Sequence, residues 1–420
     1  MRALFVTPVE RGAGETVTAA HMADNVERRG GAVQLLASPF AAKLVGERFR
    51  ARVHELTSDS SRNRGIWDAT VASFRPDVIV FADYPLLFFT TGVSPLASAG
   101  WEEELARADA CLVTLDHTGF AQRRTEIFFG PPHLSLHYEA LPAPPERMHI
   151  LLPCPMHEPS PLPWRKGHPF RYWRLPLTLP SERRSEVRKR YAVQGDDLLI
   201  FHSVPTWAWT AAQAHGLPYF SFLPELLEHH LGVLAPRVVL ASVNNGSLLP
   251  RRSGAALRIV NLPVLRVEEY EELMFASDLM ITENKISISL GKAVCGLHPC
   301  AAFKNSQTLR ELLARLDGRL REIVLAMERL KLGSVFPYEV FPSGMREELE
   351  QLALYRDNSL TRCFAELELF GGDSTGERLR GLLVEEEPRA LLRDEQERYV
   401  ERVRSLDDAH DALARLLATG

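Results

Sequence analysis

Apolar residues in this chain come mostly in short unbroken runs, with little strict alternation. Residues 3–7, 33–37, 78–81 and 110–115 form one series, and residues 198–201, 237–242, 257–262, 279–282 and 299–303 form a second. Unbroken runs of that length fit parallel strands covered on both faces. Helical patterning lies between them. Residues 16–29 stop at Gly30-Gly31, a carboxyl-terminal glycine signal. Residues 181–191 read as a charged helix, and Gly195-Asp196-Asp197 turns the chain into the next run. Strands separated by helices predict βαβ units and parallel sheets. The proline-rich stretch 139–180 interrupts the series, with strand-like pieces at 148–152 and 172–175. From Ser306 onward the pattern is mostly helical and ends in residues 390–417. The expected architecture is α/β, with two Rossmann-like domains over 1–165 and 181–385 and a helical tail over 386–420.

The richest stretch is 277–307. Leu279-Met280-Ile281 is a buried-strand run, and residues 282–289 then offer hydroxyls, an amide and a lysine where the next helix begins. Unbonded first-turn N–H groups and the positive end of the helix dipole make such a start an anion site. Asn305-Ser306-Gln307 follows the next strand, at the carboxyl end where open α/β sheets bind ligands. A phosphate cradle beside side chains suited to polyol hydroxyls points to a nucleotide-sugar.

Composition changes this picture little. A chain of 420 residues suits two domains, and a net charge of −5 offers no global attraction to nucleic acid or an anionic membrane. Arg183, Arg184, Arg188, Lys189 and Arg190 read as one solvated helix face. No apolar run approaches the roughly 18 residues that cross a bilayer, so membrane insertion is not expected. The opening MRALFVT reads as a strand and not as a signal peptide. Cys111, Cys154, Cys295, Cys300 and Cys363 are scattered, and their spacings match no structural zinc pattern. Buried thiols and a cytoplasmic setting are expected.

Several landmarks together carry a family resemblance. Pro8, Gly14-Glu15, Met22-Ala23, Val26, Gly30 and Val33 follow the opening of GT-B-fold, nucleotide-sugar-dependent glycosyltransferases of the bacterial natural-product type. Arg75-Pro76-Asp77-Val78-Ile79-Val80 with Asp83 resembles their next landmark. Leu262-Pro263-Val264, Tyr270-Glu271-Glu272-Leu273-Met274 and the run 276–282 resemble their donor half. Phe336-Pro337 and Phe341-Pro342 precede a terminal helix that in this family crosses back to the first domain. The resemblance implies sugar transfer from a nucleoside-diphosphate-sugar to a small-molecule acceptor, with no cofactor and no metal required. It also implies donor contacts at Ser203, Trp207, Leu265, Arg266, Asn284, Lys285, Ser287, Ser289, Lys292, Asn305, Ser306 and Gln307, and acceptor contacts at Asp83 and Tyr84.

This chain departs from the family pattern in three places, which marks a divergent subfamily. Gly14-Glu15 stands where the family has Gly-His, Glu283-Asn284-Lys285 replaces a Gly-Gly phosphate loop, and Lys292 falls near the family's ribose-binding glutamate. Glu15 is therefore either the proton acceptor or a solvated first-turn carboxylate that favours the helix dipole. Asp116-His117 can supply a base with an orienting carboxylate only where its strand has ended, since neighbours on a strand face opposite ways. His21 reads as a packing or surface histidine. Ser287 and Ser289 serve as caps, phosphate contacts or both. Lys285 and Lys292 are phosphate partners or solvated charges. Trp207 and Trp209 stack on a ligand or pack a domain interface. An epimerase or hydrolase of the same fold, and a scaffold that has lost chemistry, stay open beside the transferase.

Overall fold

The structure, a computed structural model, describes residues 1–8, 13–45, 49–88, 105, 108–117, 143–163, 166–173, 178–204, 219–234, 237–244, 256–285, 287–329 and 357–419. The first half runs β1 (Arg2–Thr7), α1 (Gly14–Arg28), β2 (Ala32–Ala37), α2 (Pro39–Leu44), β3 (Val53–Glu55), α3 (Ser60–Phe74), β4 (Val78–Phe81), β5 (Cys111–Leu115), β6 (His149–Cys154) and β7 (His168–Arg171). The second half begins with α4 (Ser181–Arg190), β8 (Leu198–Ser203), α5 (Tyr219–Leu231), β9 (Val238–Val243), β10 (Leu257–Leu262), α6 (Val267–Ala276) and β11 (Leu279–Thr282). It continues through α7 (Ile288–Cys295), β12 (Cys300–Lys304), α8 (Leu309–Arg315), α9 (Gly318–Arg329), β13 (Ala365–Glu368) and α10 (Asp373–Val384). Two last helices follow, α11 (Glu386–Arg404) and α12 (Ala409–Thr419).

The described strands form two parallel sheets. The first has the order β3-β2-β1-β4-β5-β6-β7 and the second β10-β9-β8-β11-β12-β13. Side chains alternate between the faces, as the pleat requires. In the first sheet Ala3, Phe5, Val78 and Val80 pack under α1, while Leu4, Val6, Ile79 and Phe81 pack with Trp67 of α3 on the opposite face. In the second sheet Ile200, Leu240 and Ile281 pack under α5 and α9, while Phe201, Ala241 and Met280 pack under α6 and α7. Both faces are covered, which is why these strands read as unbroken apolar runs. Strand order reverses between β1 and β4 and again between β8 and β11, so each sheet presents a crevice at those carboxyl ends.

The tail ties the halves together. Tyr399 of α11 donates to the carbonyls of Pro155 and His157 at 2.7 and 3.1 Å, and Arg402 pairs with Glu158 at 2.6 Å. Ala409, Ala412, Leu413 and Leu416 of α12 join the core under α1. The expected single tail helix is two, broken before Asp408, whose carboxylate accepts the Asp411 N–H at 3.0 Å. Three strand expectations also need correction. The piece expected at 172–175 is instead β7 at His168–Arg171, and Tyr172 and Trp173 beyond it are buried core. Edge strands β3 (VHE) and β13 (AELE) are half-buried and mixed in polarity, so no apolar run announces them. The Phe336-Pro337 and Phe341-Pro342 landmarks lie outside the described residues.

Candidate functional site

At the second sheet's crevice, Thr282 ends β11 and the chain passes through Glu283, Asn284 and Lys285 into α7. Ser287 caps that helix, its Oγ accepting the Leu290 N–H at 3.4 Å. Tyr270 of α6 donates to Ser289 Oγ at 2.7 Å, so a first-turn hydroxyl is held by a neighbouring helix. Burial raises the Tyr270 phenol, and its bonds to Ser203 and Ser289 oppose that rise. Asn284 is buried, with its N–H on Thr282 Oγ1 at 3.0 Å. Leu265 packs on the apolar core and exposed Arg266 takes the N-cap position of α6.

Polar residues close the rest of this edge on one another. Asn305 holds Gln307 by two bonds of 3.0 Å, and Ser306 donates from Oγ to Glu368 at 2.6 Å. Lys285 and Lys304 both pair with Glu366; burial would raise that carboxyl, and the two ammonium groups overcome it. Lys292 lies within α7 and is buried. It pairs with Glu271, reaches His21 Nε2 at 3.3 Å and sits 4.8 Å over the Trp173 ring. Trp207 and Trp209 lie outside the described residues.

Sequence reasoning missed the most connected group at this edge. His202, near the end of β8, meets both carboxylate oxygens of Glu283 at 3.1 Å through Nε2. Its Nδ1 lies 2.8 Å from Ser242 Oγ on β9, and Asn244 Nδ2 donates to Ser242 Oγ at 2.9 Å and to Asn261 at 2.6 Å. The usable signal was a histidine inside an apolar run and a glutamate directly after one, because buried polar groups require partners.

The first sheet's crevice is different. Glu15, the second residue of α1, has a buried Oε2 with no hydrogen bond, and burial raises its carboxyl above the ordinary range. Asp116 and His117 follow β5 and are buried. His117 is pushed down to about 4 by burial, with the Ala82 backbone opposing only in part. No hydrogen bond of ordinary geometry reaches either ring nitrogen. Asp83 is buried after β4, while Tyr84 packs edge-on against Phe81 within the core. The two crevices meet through helix starts: a Cβ on Gly14 would fall 2.6 Å from Ile288 Cδ1 at the start of α7.

All five cysteines are free thiols, four of them buried. Among the described residues, Asp408, His410 and Asp411 form one group with metal-ligand atoms within 4.8 Å of each other, but Asp411 already pairs with Arg29 at 2.8 Å. No described helix is long and apolar enough to cross a membrane.

A model of DUF6365, described as a family of unknown function, matches residues 22–419. No curated protein matches the chain by sequence. The spinosyn rhamnosyltransferase SpnG is 15% identical, with all of both chains covered and a TM-score of 0.53. The spinosyn forosaminyltransferase SpnP is 13% identical over 100% of this chain and 99% of its own, also with a TM-score of 0.53. The glycosyltransferase SnogD from Streptomyces nogalater is 15% identical over 100% and 99%, with a TM-score of 0.50. The chain has the GT-B fold of these glycosyltransferases.

Proposed function

This chain belongs to the DUF6365 family, and from that premise and its fold we propose that it is a glycosyltransferase. The reaction is transfer of a sugar from a nucleoside-diphosphate-sugar to a small-molecule acceptor, in bacterial natural-product biosynthesis and in the cytoplasm. One observation carries the reading. The start of α7, at the switch point of the second sheet, meets the start of α1, where Glu15 keeps a buried and unpartnered carboxylate oxygen. An anion is favoured at the first site by the helix dipole and first-turn N–H groups. A proton acceptor is favoured at the second, since burial brings a carboxyl towards the working pH.

In this mechanism the diphosphate rests against Asn284, Lys285, Ser287 and Ser289, the base near Leu265-Arg266 and the sugar near Asn305, Ser306 and Gln307. The acceptor enters past Asp83 and loses its proton to Glu15 as its oxygen or nitrogen attacks the anomeric carbon. The sugar–phosphate bond breaks, and the leaving diphosphate keeps the electron pair beside the helix end, whose positive potential stabilises it. No metal is part of the proposal. Asp116 with His117 is the alternative base, its imidazole neutral at working pH. SpnG has been crystallised with thymidine diphosphate and with spinosyn aglycone, which supports a two-substrate cleft in this fold.

A second reading, a GT-B-like scaffold without chemistry, has its own support: the ammonium groups of Lys285 and Lys292 are already engaged by carboxylates. Calorimetry against a panel of nucleoside diphosphates separates the two. Micromolar binding that is lost in Ser289→Asp supports the transferase, and absence of any binding by the folded protein supports the scaffold.

A further inference from the structure

Away from the strand ends, two rings of the first half rest on an ion pair of the second. Glu271 of α6 and Lys292 of α7 form the pair. His21 of α1 reaches both, with Nε2 3.2 Å from Glu271 Oε1 and 3.3 Å from Lys292 Nζ. Trp173, just past β7, lies under the Lys292 ammonium and 5.5 Å from the His21 ring. Burial raises the Glu271 carboxyl, but Lys292 and then His21 overcome it and hold it at about 2. Burial presses the Lys292 amine towards neutrality and Glu271 opposes this; with its carboxylate so close, we take the pair as charged on both sides.

The location gives the cluster its consequence. Lys292 is one helical turn beyond Ile288, the residue that meets Gly14. Gly291 beside it presses on the linker after β6, where a Cβ would fall 2.8 Å from Pro155 Cγ. His21 stands under two turns beyond Glu15 on α1. Apolar contact between Gly14 and Ile288 has no preferred direction, whereas hydrogen bonds and a cation over a ring fix orientation. The cluster also borders a cavity of about 640 Å³ lined in part by Phe49, Arg171 and Glu268.

We propose that His21, Trp173, Glu271 and Lys292 form an interdomain clamp that registers the start of α1 against the start of α7. These are positioning residues. Their effect on Glu15 and the donor phosphates rests on the transferase reading; the clamp itself rests only on the geometry.

The test compares His21→Leu with His21→Gln, because the ring meets both partners through Nε2 alone, donating to Glu271 in one tautomer or accepting from Lys292 in the other, and a glutamine amide can serve either role. Hydrogen–deuterium exchange on the full chain, with no ligand, reads the amides of 14–20 and 288–294. In His21→Leu exchange at both helix starts rises by about tenfold or more while the β4 and β11 amides keep their protection. His21→Gln restores it to within about twofold. With donor and acceptor, His21→Leu lowers kcat by about tenfold to a hundredfold while diphosphate affinity stays within about threefold, since misregister by about an ångström acts on chemistry more than on binding. Lys292→Met repeats the pattern where it folds. Unchanged exchange at both helix starts in folded His21→Leu overturns the clamp, and so does failure of His21→Gln to rescue. Increased exchange that glutamine rescues, in a protein that binds no nucleoside diphosphate, upholds the clamp and removes the transferase reading.

Discussion

At the first sheet's carboxyl edge, Glu15 Oε2 is buried without a hydrogen bond, and no hydrogen bond of ordinary geometry reaches the buried ring nitrogens of His117. At the second sheet's edge, His202, Glu283, Ser242, Asn244 and Asn261 satisfy one another, and Lys285, Lys304 and Ser306 bond to Glu366 and Glu368. The same strand arrangement thus ends in two kinds of rim. A fully bonded polar network is rigid, as a preformed binding cradle must be. Buried groups with unmet bonding capacity are costly to stability and are retained where proton transfer requires them. On the transferase reading proposed above, this contrast favours binding at the second half and chemistry at the first.

The largest effect should come from Glu15→Gln, which keeps the shape and removes the proton acceptor. Turnover should fall by roughly two to four powers of ten while nucleotide affinity is retained. In the parent, the acid limb of the rate profile should lie above the ordinary carboxylate range, because burial raises this group and only its ionised form accepts a proton. Full activity in Glu15→Gln with loss in His117→Ala would move the base to Asp116-His117.

On the second rim the expected loss is in stability. His202→Ala leaves the Glu283 carboxylate buried without its imidazole, at a cost of about 3 kcal/mol in denaturant unfolding. A change below about 1 kcal/mol would show that water replaces the ring and that the rim is not a closed network.

Acid titration of stability separates two groups of the first rim by sign. His117, pushed down to about 4, takes up its proton in the unfolded chain first, so stability falls as pH drops from 6.5 towards 4. The full loss is on the order of 3 kcal/mol. Buried His230 and His298, also at about 4, add to the same slope. Glu15 acts oppositely: its raised carboxyl contributes stability below the unfolded value of 4.5 that is lost as pH rises through the folded value. His117→Leu should flatten the acid slope relative to the parent, and an unchanged slope would mean that the ring is solvated in solution.

The smallest expected effect is Ser287→Ala. Loss of this cap should cost about 1 kcal/mol and weaken diphosphate binding only modestly, since first-turn N–H groups remain. A loss of affinity beyond about a hundredfold would make the hydroxyl a principal phosphate contact.

Much of this molecule was legible in the chain. Runs such as 78–81 and 279–282 announce strands buried on both faces because nothing in them can tolerate water. The glycine stop after α1 and the helix start after β11 are equally local signals. Short edge strands β3 and β13 were not legible, since half-exposed pairing leaves no apolar signature. The break before α12 depends on Asp408 bridging to Arg171, a contact between residues far apart in sequence.

Sequence alone therefore determined which apolar segments are the central strands, that they pair in parallel in two series, and that a helix begins where an anion could rest. Those features follow from local periodicity and backbone hydrogen bonding. Tertiary structure decided what each polar side chain faces. It turned Lys292 from a surface or phosphate charge into the buried partner of Glu271, joined His202 to Glu283, and left one carboxylate oxygen of Glu15 buried at the meeting of two helix starts. A charge's role is set by its neighbours in space: the Lys292–Glu271 and His202–Glu283 pairs need the folded second half, and the meeting of the two helix starts needs both halves.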